Sequence, residues 1–200
     1  LRRHLERVAE LRRALPDGGV IPEDYEVTGE YGPVRFSELF GEKDTLVVYS
    51  MMFGPQRARP CPMCTAVMTS WDGAVRNARE RVALAVFARS PIERLLAFKE
   101  ERGWRNLQLY SDGTGDYTGA YVDAEDGDVP ALNVFARRDG VIRHFWAGEF
   151  SGEMADPGQD PRSAPELDPL WTILDLTPGG RGADWYPKLE YGSTPLVHLV

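Results

Sequence analysis

The sequence predicts an α/β fold in which a central mixed sheet is flanked by helices, with a helix and a hairpin added at the N-terminus. Three observations predict it. Apolar, β-rich runs at residues 45–53, 82–88 and 107–110 alternate with helical patterns at 62–75 and 91–102, an order that implies parallel pairing through right-handed crossovers. Asp139-Gly140 joins two further β-rich runs, 131–136 and 141–146, and an Asp-Gly turn in that setting signals a hairpin. The only two cysteines, Cys61 and Cys64, stand as Cys-x-x-Cys directly after the first apolar run, where strand gives way to helix.

The elements follow in order. Leu1, Leu5, Val8, Leu11 and Leu15 recur at helical spacing among five arginines, and Pro16-Asp17-Gly18-Gly19 stops the pattern. This predicts a helix whose apolar stripe is buried on its own domain or on a second subunit, as in a homodimer, since such a stripe left exposed is an unusual patch. Glu6 and Glu10 dilute its basic face, which disfavours a membrane-surface role. Residues 25–27 and 34–36 flank a Gly-containing segment and predict a hairpin, after which Ser37 is placed to cap a short helical turn through Leu39 and Phe40. Residues 45–53 are nearly all apolar, as a strand covered on both faces should be.

Beyond the cysteines, Cys64, Val67, Met68, Trp71 and Val75 share one helical face, with Asp72-Gly73 predicting a kink or break within it. Residues 82–88 read as a second buried strand. Ser90 and Pro91 then read as N-cap and first residue of a helix that stops at Gly103. Residues 111–129 are rich in Asp and Gly and longer than ordinary connections, so they form a candidate functional loop. Pro130 opens the terminal hairpin. A polar, Pro-rich stretch over 151–169, a short helix at 170–176 and an aromatic tail from 181 complete the chain. The 200 residues divide as one domain: helix 1–19, core 20–150 and C-terminal extension 151–200.

Composition narrows the function classes. No apolar run approaches the ~20 residues a membrane span needs, and no signal-peptide core stands near Leu1. The chain does not begin with Met, so a short N-terminal piece is expected to precede it. A net charge of −8, from 31 acidic against 23 basic side chains, disfavours a nucleic-acid partner, because phosphate binding needs a basic face. The cytosol is the default compartment, where an isolated thiol pair stays reduced unless it cycles.

The chemistry concentrates at Cys61 and Cys64. Two cysteines on the first turn of a helix can close a tight disulfide, and the helix N-terminus stabilises a thiolate through its dipole and free amides. Cys61 is placed at the N-cap and Pro62 at the first helical position, where a missing N–H costs nothing. Arg57 and Arg59 are the cations available to lower a thiol pKa and, with Pro62, to line a substrate site. Zinc is the main rival. It needs four ligands, and beyond the two thiols the chain offers only His4, His144 and His198, none at finger spacing. No cofactor or metal is expected.

This order of hairpin, strand, Cys-x-x-Cys helix, strand, helix and Pro-led hairpin resembles a thioredoxin-like fold, with an opening hairpin similar to that of the peroxiredoxin branch. More closely, the chain resembles the bacterial thioredoxin-like family catalogued as domain of unknown function 899. The matching segments are Tyr49-Ser50-Met51-Met52-Phe53-Gly54-Pro55, Cys61-Pro62-Met63-Cys64, Trp71-Asp72-Gly73-Ala74-Val75, Phe98-Lys99 with Gly103-Trp104, Leu132-Asn133-Val134-Phe135-Ala136-Arg137 and Leu174-Asp175-Leu176-Thr177-Pro178. Two segments depart from the family pattern: 56–60 is more basic, and the polar loop before Pro130 is remade. The thioredoxin resemblance implies that Pro130 follows a cis bond and faces the cysteines, leaving backbone free to pair with an extended substrate.

The leading expectation is a thiol-disulfide oxidoreductase. Cys61 attacks a protein or small-molecule disulfide, Cys64 resolves the mixed disulfide, and the electron donor is unspecified. A peroxiredoxin mechanism is disfavoured because Ala58, rather than Thr or Ser, stands three residues before Cys61. The alternatives are a binding module with a relic cysteine pair and a copper-handling protein in which His144 joins the two thiols. Residues 123–128 lack the closing Glu of a calcium loop and read as a solvated acidic segment; the whole 111–129 loop, with Asp112, Asp116, Asp123, Glu125, Asp126 and Asp128, is expected to form the wall of the substrate groove opposite Arg57 and Arg59.

Overall fold

The computed structural model describes residues 1–123, 127–148, 154–162 and 167–192. Its elements are α1 (Arg2–Arg13), β1 (Gly19–Val20), β2 (Glu26–Gly29), β3 (Gly32–Arg35), a 3-10 turn (Phe36–Phe40), β4 (Thr45–Ser50), α2 (Pro62–Ala78), β5 (Ala83–Ala88), α3 (Ile92–Arg102), β6 (Leu109–Ser111), α4 (Asp116–Tyr121), β7 (Ala131–Arg138), β8 (Val141–Gly148) and α5 (Pro169–Asp175). The strands form one mixed sheet in the order β1-β8-β7-β4-β5-β6-β2-β3. β4, β5 and β6 are parallel, joined through α2 and α3, while β7 returns antiparallel beside β4. This is the α/β thioredoxin-like architecture the sequence predicts, with β4 at its centre.

Alternation along the strands builds two apolar layers. Val47 and Tyr49 of β4, with Leu84, Val86 and Ala88 of β5, face α2 and α3, where Cys64, Val67, Met68, Val75, Leu95 and Phe98 meet them. Leu46 and Val48, with Ala85 and Phe87, point the other way onto Phe36, Phe40 and Tyr117. Strands covered on both sides must be apolar at every position, which is why these runs show no alternation in sequence. In the β7–β8 hairpin, Val134 pairs with Trp146 but Phe135 pairs with His144. The extra residue, Phe145, is a bulge that puts Trp146 on the first face and His144 on the second.

Several elements differ from expectation. α2 runs unbroken through Asp72-Gly73, because the Asp72 carboxylate is engaged outside the helix, accepting from the N–H groups of Asn106 (2.8 Å), Leu107 (3.0 Å) and Arg105 (3.2 Å). The N-cap of α3 is Pro91 rather than Ser90; Ser90 is buried and its hydroxyl donates to the Gly54 carbonyl at 3.2 Å. The 3-10 turn is capped by Arg35, with Ser37 inside it bonded to Asp24. Within 111–129, six residues form α4 and plant Tyr117 fully in the core.

Two N-terminal findings complete the picture. The β1 strand, unforeseen, adds to the free edge of β8. Gly18 leads into it at φ +79°, and a Cβ there would lie 1.9 Å from the His144 carbonyl oxygen, so only glycine fits. The α1 stripe is not buried on its own domain: Leu1, Leu5, Val8, Leu11 and Leu15 are all exposed, and Arg12 reaches back over the Trp146 ring, 4.9 Å from its centroid. Among the described residues no helix is long and apolar enough to cross a membrane.

Candidate active site

The β4 strand delivers the chain to the end of the sheet, and after ten intervening residues Cys61 opens α2 in extended geometry (φ −62°, ψ 128°) with Pro62 at its first turn. Two backbone bonds fix this entry. The Cys61 N–H donates to the Met52 carbonyl at 3.0 Å, and the Cys61 carbonyl accepts from the Thr65 N–H at 3.0 Å and hydroxyl at 2.9 Å. Cys61 is half-buried and Cys64, one turn in, is 2% exposed; both are free thiols. The predicted order, an accessible first cysteine and a sheltered second, is what the helix imposes.

Their proton affinities diverge. The Cys61 thiol is drawn down to about 6, first by the hydrogen bond that the Cys64 S–H donates to it, then by the N–H groups of Cys64 and Met63 at the helix start and by the Arg57 charge, against the opposing effect of burial. Cys64 moves well upward, because it is the donor to Cys61 and is itself deeply buried. Tyr49 packs in the same apolar layer as Cys64 and hydrogen-bonds to it through its hydroxyl. Tyr49 is raised well above the ordinary phenol range, by burial first and then by the cysteines, so it remains a protonated donor.

The flanking charges pair with each other. Arg57 Nε bonds Asp128 Oδ2, while Asp128 Oδ1 accepts from the Gly54 N–H at 2.9 Å. Thus the described end of the acidic segment does not stand opposite the arginine across a groove; it closes onto it. Residues 124–126 of the suggested wall, and of the calcium-like stretch, lie outside the described residues. Arg59 turns to α3, where its guanidinium forms a two-pronged pair with Glu101 (2.8 Å for Nη1) and lies over the Phe98 ring at 5.6 Å. Arg94, which sequence reasoning passed over, holds the loop from α3: its guanidinium donates to the Arg57 carbonyl (2.7 Å) and to the Ser90 hydroxyl (3.0 Å) and sits 4.5 Å above the Phe53 ring.

Pro130 directly precedes β7, whose Ala131 pairs with Ser50 at the end of β4, so it occupies the sheet end from which the cysteine loop departs. The expected cis bond is absent: among the described residues every peptide bond is trans. Pro130 begins a strand in ordinary extended chain, which a trans bond satisfies. It also lines a cavity of about 260 Å³ with Tyr121, Asn133, Gly148 and Met154, whose lining includes neither cysteine. His144, the third ligand of the copper alternative, is on the opposite sheet face from Cys64; its Nε2 is 2.8 Å from Asn133 Oδ1 and its ring packs on Phe135 and Tyr121. Among the described residues no group of three or more His, Cys, Asp or Glu side chains could hold a metal.

Tyr49 and Arg94 were not foreseen as part of the site, and Asp128 was expected across the groove from Arg57 rather than bonded to it. Tyr49 lies in the matched Tyr49–Pro55 segment, and its even spacing from Val47 on an inward face was the available signal.

Comparison with solved structures returns thioredoxin-fold proteins of low identity. Peroxidoxin BcpB from Mycobacterium tuberculosis is 18% identical over 66% of this chain and 86% of its own, with a TM-score of 0.46. A candidate protein disulfide isomerase from Bacteroides thetaiotaomicron is 21% identical over 78% of this chain and 89% of its own, with a TM-score of 0.49. A mutant of PrxQ from Xylella fastidiosa is 12% identical over 70% and 90%, with a TM-score of 0.49. No curated protein matches the chain. The family model described as bacterial protein of unknown function, DUF899, matches residues 1–191, and the chain belongs to that family.

Proposed function

We propose that the chain is a thiol-disulfide oxidoreductase acting through Cys61 and Cys64. The observation that carries this is the asymmetry of the pair: a half-buried Cys61 at a helix N-terminus with its pKa near 6, fed a hydrogen bond by a buried, protonated Cys64. A purely structural buried thiol is held up by burial and stays inert. Cys61 would be mainly thiolate at neutral pH.

In the forward step the Cys61 thiolate attacks one sulfur of a substrate disulfide; the new bond is Cys61–S–S–R, and the other half leaves as a thiolate. Cys64 then loses its proton, to the departing thiolate or to water, and its sulfur attacks Cys61 Sγ, releasing the second substrate thiolate. The substrate gains two electrons and the pair becomes a disulfide. A dithiol or monothiol reductant must return it for turnover. Pro62 starts the helix beside the nucleophile, Arg57 contributes positive charge to it, and Pro130 with the adjoining backbone is the surface on which an extended disulfide substrate would lie. Arg59 is assigned to holding the loop rim on α3.

The test is alkylation of the fully reduced protein with iodoacetamide at pH 7, followed by peptide mass mapping. A single fast adduct on Cys61, lost in Cys61→Ser, supports the proposal. Two adducts forming at the same ordinary rate would make the pair a relic on a binding module.

A further inference from the structure

Resolution of the mixed disulfide depends on a thiol that the fold has made hard to ionise. Cys64 is 2% exposed and packs in the apolar layer between β4 and α2. Once Cys61 is tied up in a mixed disulfide it no longer accepts the Cys64 proton as a hydrogen bond. Stabilisation of the Cys64 thiolate then falls to the donors already around it, the Met52 backbone N–H and the side chain of Tyr49.

Two polar side chains outside the cysteine motif bear on this site, and the thiol chemistry described above uses neither. Tyr49 is 1% exposed on the same face of β4, with its hydroxyl on Cys64. Its ring is held edge-on by Trp71 of α2 at 5.9 Å, and the Trp71 indole N–H is anchored on the Leu167 carbonyl at 2.7 Å. The next residue is Asp168, 1% exposed, which caps α5 by accepting from the Leu170 N–H at 3.0 Å and is approached by the Ser70 hydroxyl at 3.4 Å. The C-terminal extension thus delivers a buried carboxylate to the Tyr49 side of the dithiol, where its charge opposes ionisation of the phenol.

Resting on the thiol-exchange reading, we propose that Tyr49 serves the second cysteine. Its hydroxyl donates to Cys64 Sγ and stabilises the thiolate that resolves the mixed disulfide, while the Asp168 carboxylate opposes that thiolate. The two effects have opposite sign. A hydrogen bond donated to an anion favours it, and a like charge in a low-dielectric core disfavours it. Burial raises the pKa of both Tyr49 and Asp168, which keeps the phenol a donor throughout the cycle. The other titratable groups facing the site are Cys61 on α2 and Arg57 on the preceding loop, which acts on Cys61. In the reverse direction, when a reductant thiolate attacks Cys61 Sγ of the disulfide, Cys64 is the leaving group and Tyr49 stabilises the same charge.

The test is single-turnover reaction of the reduced full chain with excess 5,5′-dithiobis(2-nitrobenzoate). Attack by Cys61 releases the first coloured thiolate, and resolution by Cys64 releases the second. In Tyr49→Phe, which keeps the ring against Trp71, the first phase is unchanged. The second slows roughly 10- to 100-fold at pH 7, the factor a hydrogen bond to a charged group supplies, and its pH profile moves up. In Asp168→Asn, which can still cap α5, the second-phase profile moves down instead. Loss of packing cannot produce shifts of opposite sign. An unchanged second phase in Tyr49→Phe, or equal slowing of both phases, overturns the role given to Tyr49, and an unmoved profile in Asp168→Asn overturns that of Asp168. Absence of a fast first phase in the unsubstituted protein overturns thiol exchange itself, a separate and distinguishable failure.

Discussion

Cys61 and Cys64 differ in proton affinity because one accepts hydrogen bonds as an anion and the other is buried as a neutral donor. The alkylation rate of reduced Cys61 should therefore level off above a midpoint near pH 6 and fall as pH drops through it. Since the Cys64 S–H is the largest cause, Cys64→Ser should move that midpoint upward, in the direction of the ~8.5 of a free thiol. Arg57→Met should move it up by less, because its contribution is the smaller Coulombic one and it is shared with Asp128. An unmoved midpoint in Cys64→Ser would mean that the helix terminus alone sets the pKa. At this scale the cysteines were legible in the sequence because both chemistry and spacing were local. Asp128 is 71 residues from its partner Arg57, and Arg94 is 37 from the carbonyl it holds. Only the sheet brings such groups together.

Single side chains that leave an element to bond a neighbour hold the elements in place. Asp72 faces the chain entering β6 and accepts from three consecutive backbone N–H groups. Although burial opposes it, these bonds hold its carboxyl below the usual range. Its contribution to stability is therefore complete above the unfolded carboxyl pKa of about 4 and declines as pH falls through the lower folded value. Asp72→Ala should lower stability by about 1–3 kcal/mol at pH 7, read by urea denaturation, with the difference shrinking below about pH 4. On the opposite face, Tyr117→Ala should cost about 3–5 kcal/mol, since its ring meets Phe36, Phe87, Tyr121 and Phe135; a loss near zero would mean that α4 is dispensable. The α4 helix was hidden because only six residues, two of them Asp116 and Gly119, interrupt a run of Asp and Gly that reads as loop. The strands were legible because burial on both faces leaves continuous apolar runs.

The whole molecule places a cysteine-bearing helix terminus at the end of a central strand and braces it from three directions. Arg94 holds the loop from α3, Asp128 holds it from the segment before β7, and the C-terminal extension meets α2 through the Leu167 carbonyl on Trp71 and Asp168 beside Ser70. For the α1 stripe, periodicity describes the helix correctly but names no surface to receive it: of the two expected covers, its own domain or a second subunit, the described part of its own domain does not provide one. The cis bond expected at Pro130 came from its place before the last hairpin together with the resemblance, and the bond is trans at an ordinary strand start.

The central claim is that Cys61 and Cys64 form a cycling redox pair. It is tested most directly by equilibrating the full chain across a series of thiol-disulfide redox buffers, quenching with an alkylating agent and weighing the intact protein. The account predicts one reversible two-electron transition between a doubly alkylated dithiol and an unalkylated Cys61–Cys64 disulfide, abolished by either Cys→Ser substitution. A chain that takes up two alkyl groups across the whole series, or that forms only mixed disulfides with the buffer thiol, would contradict it.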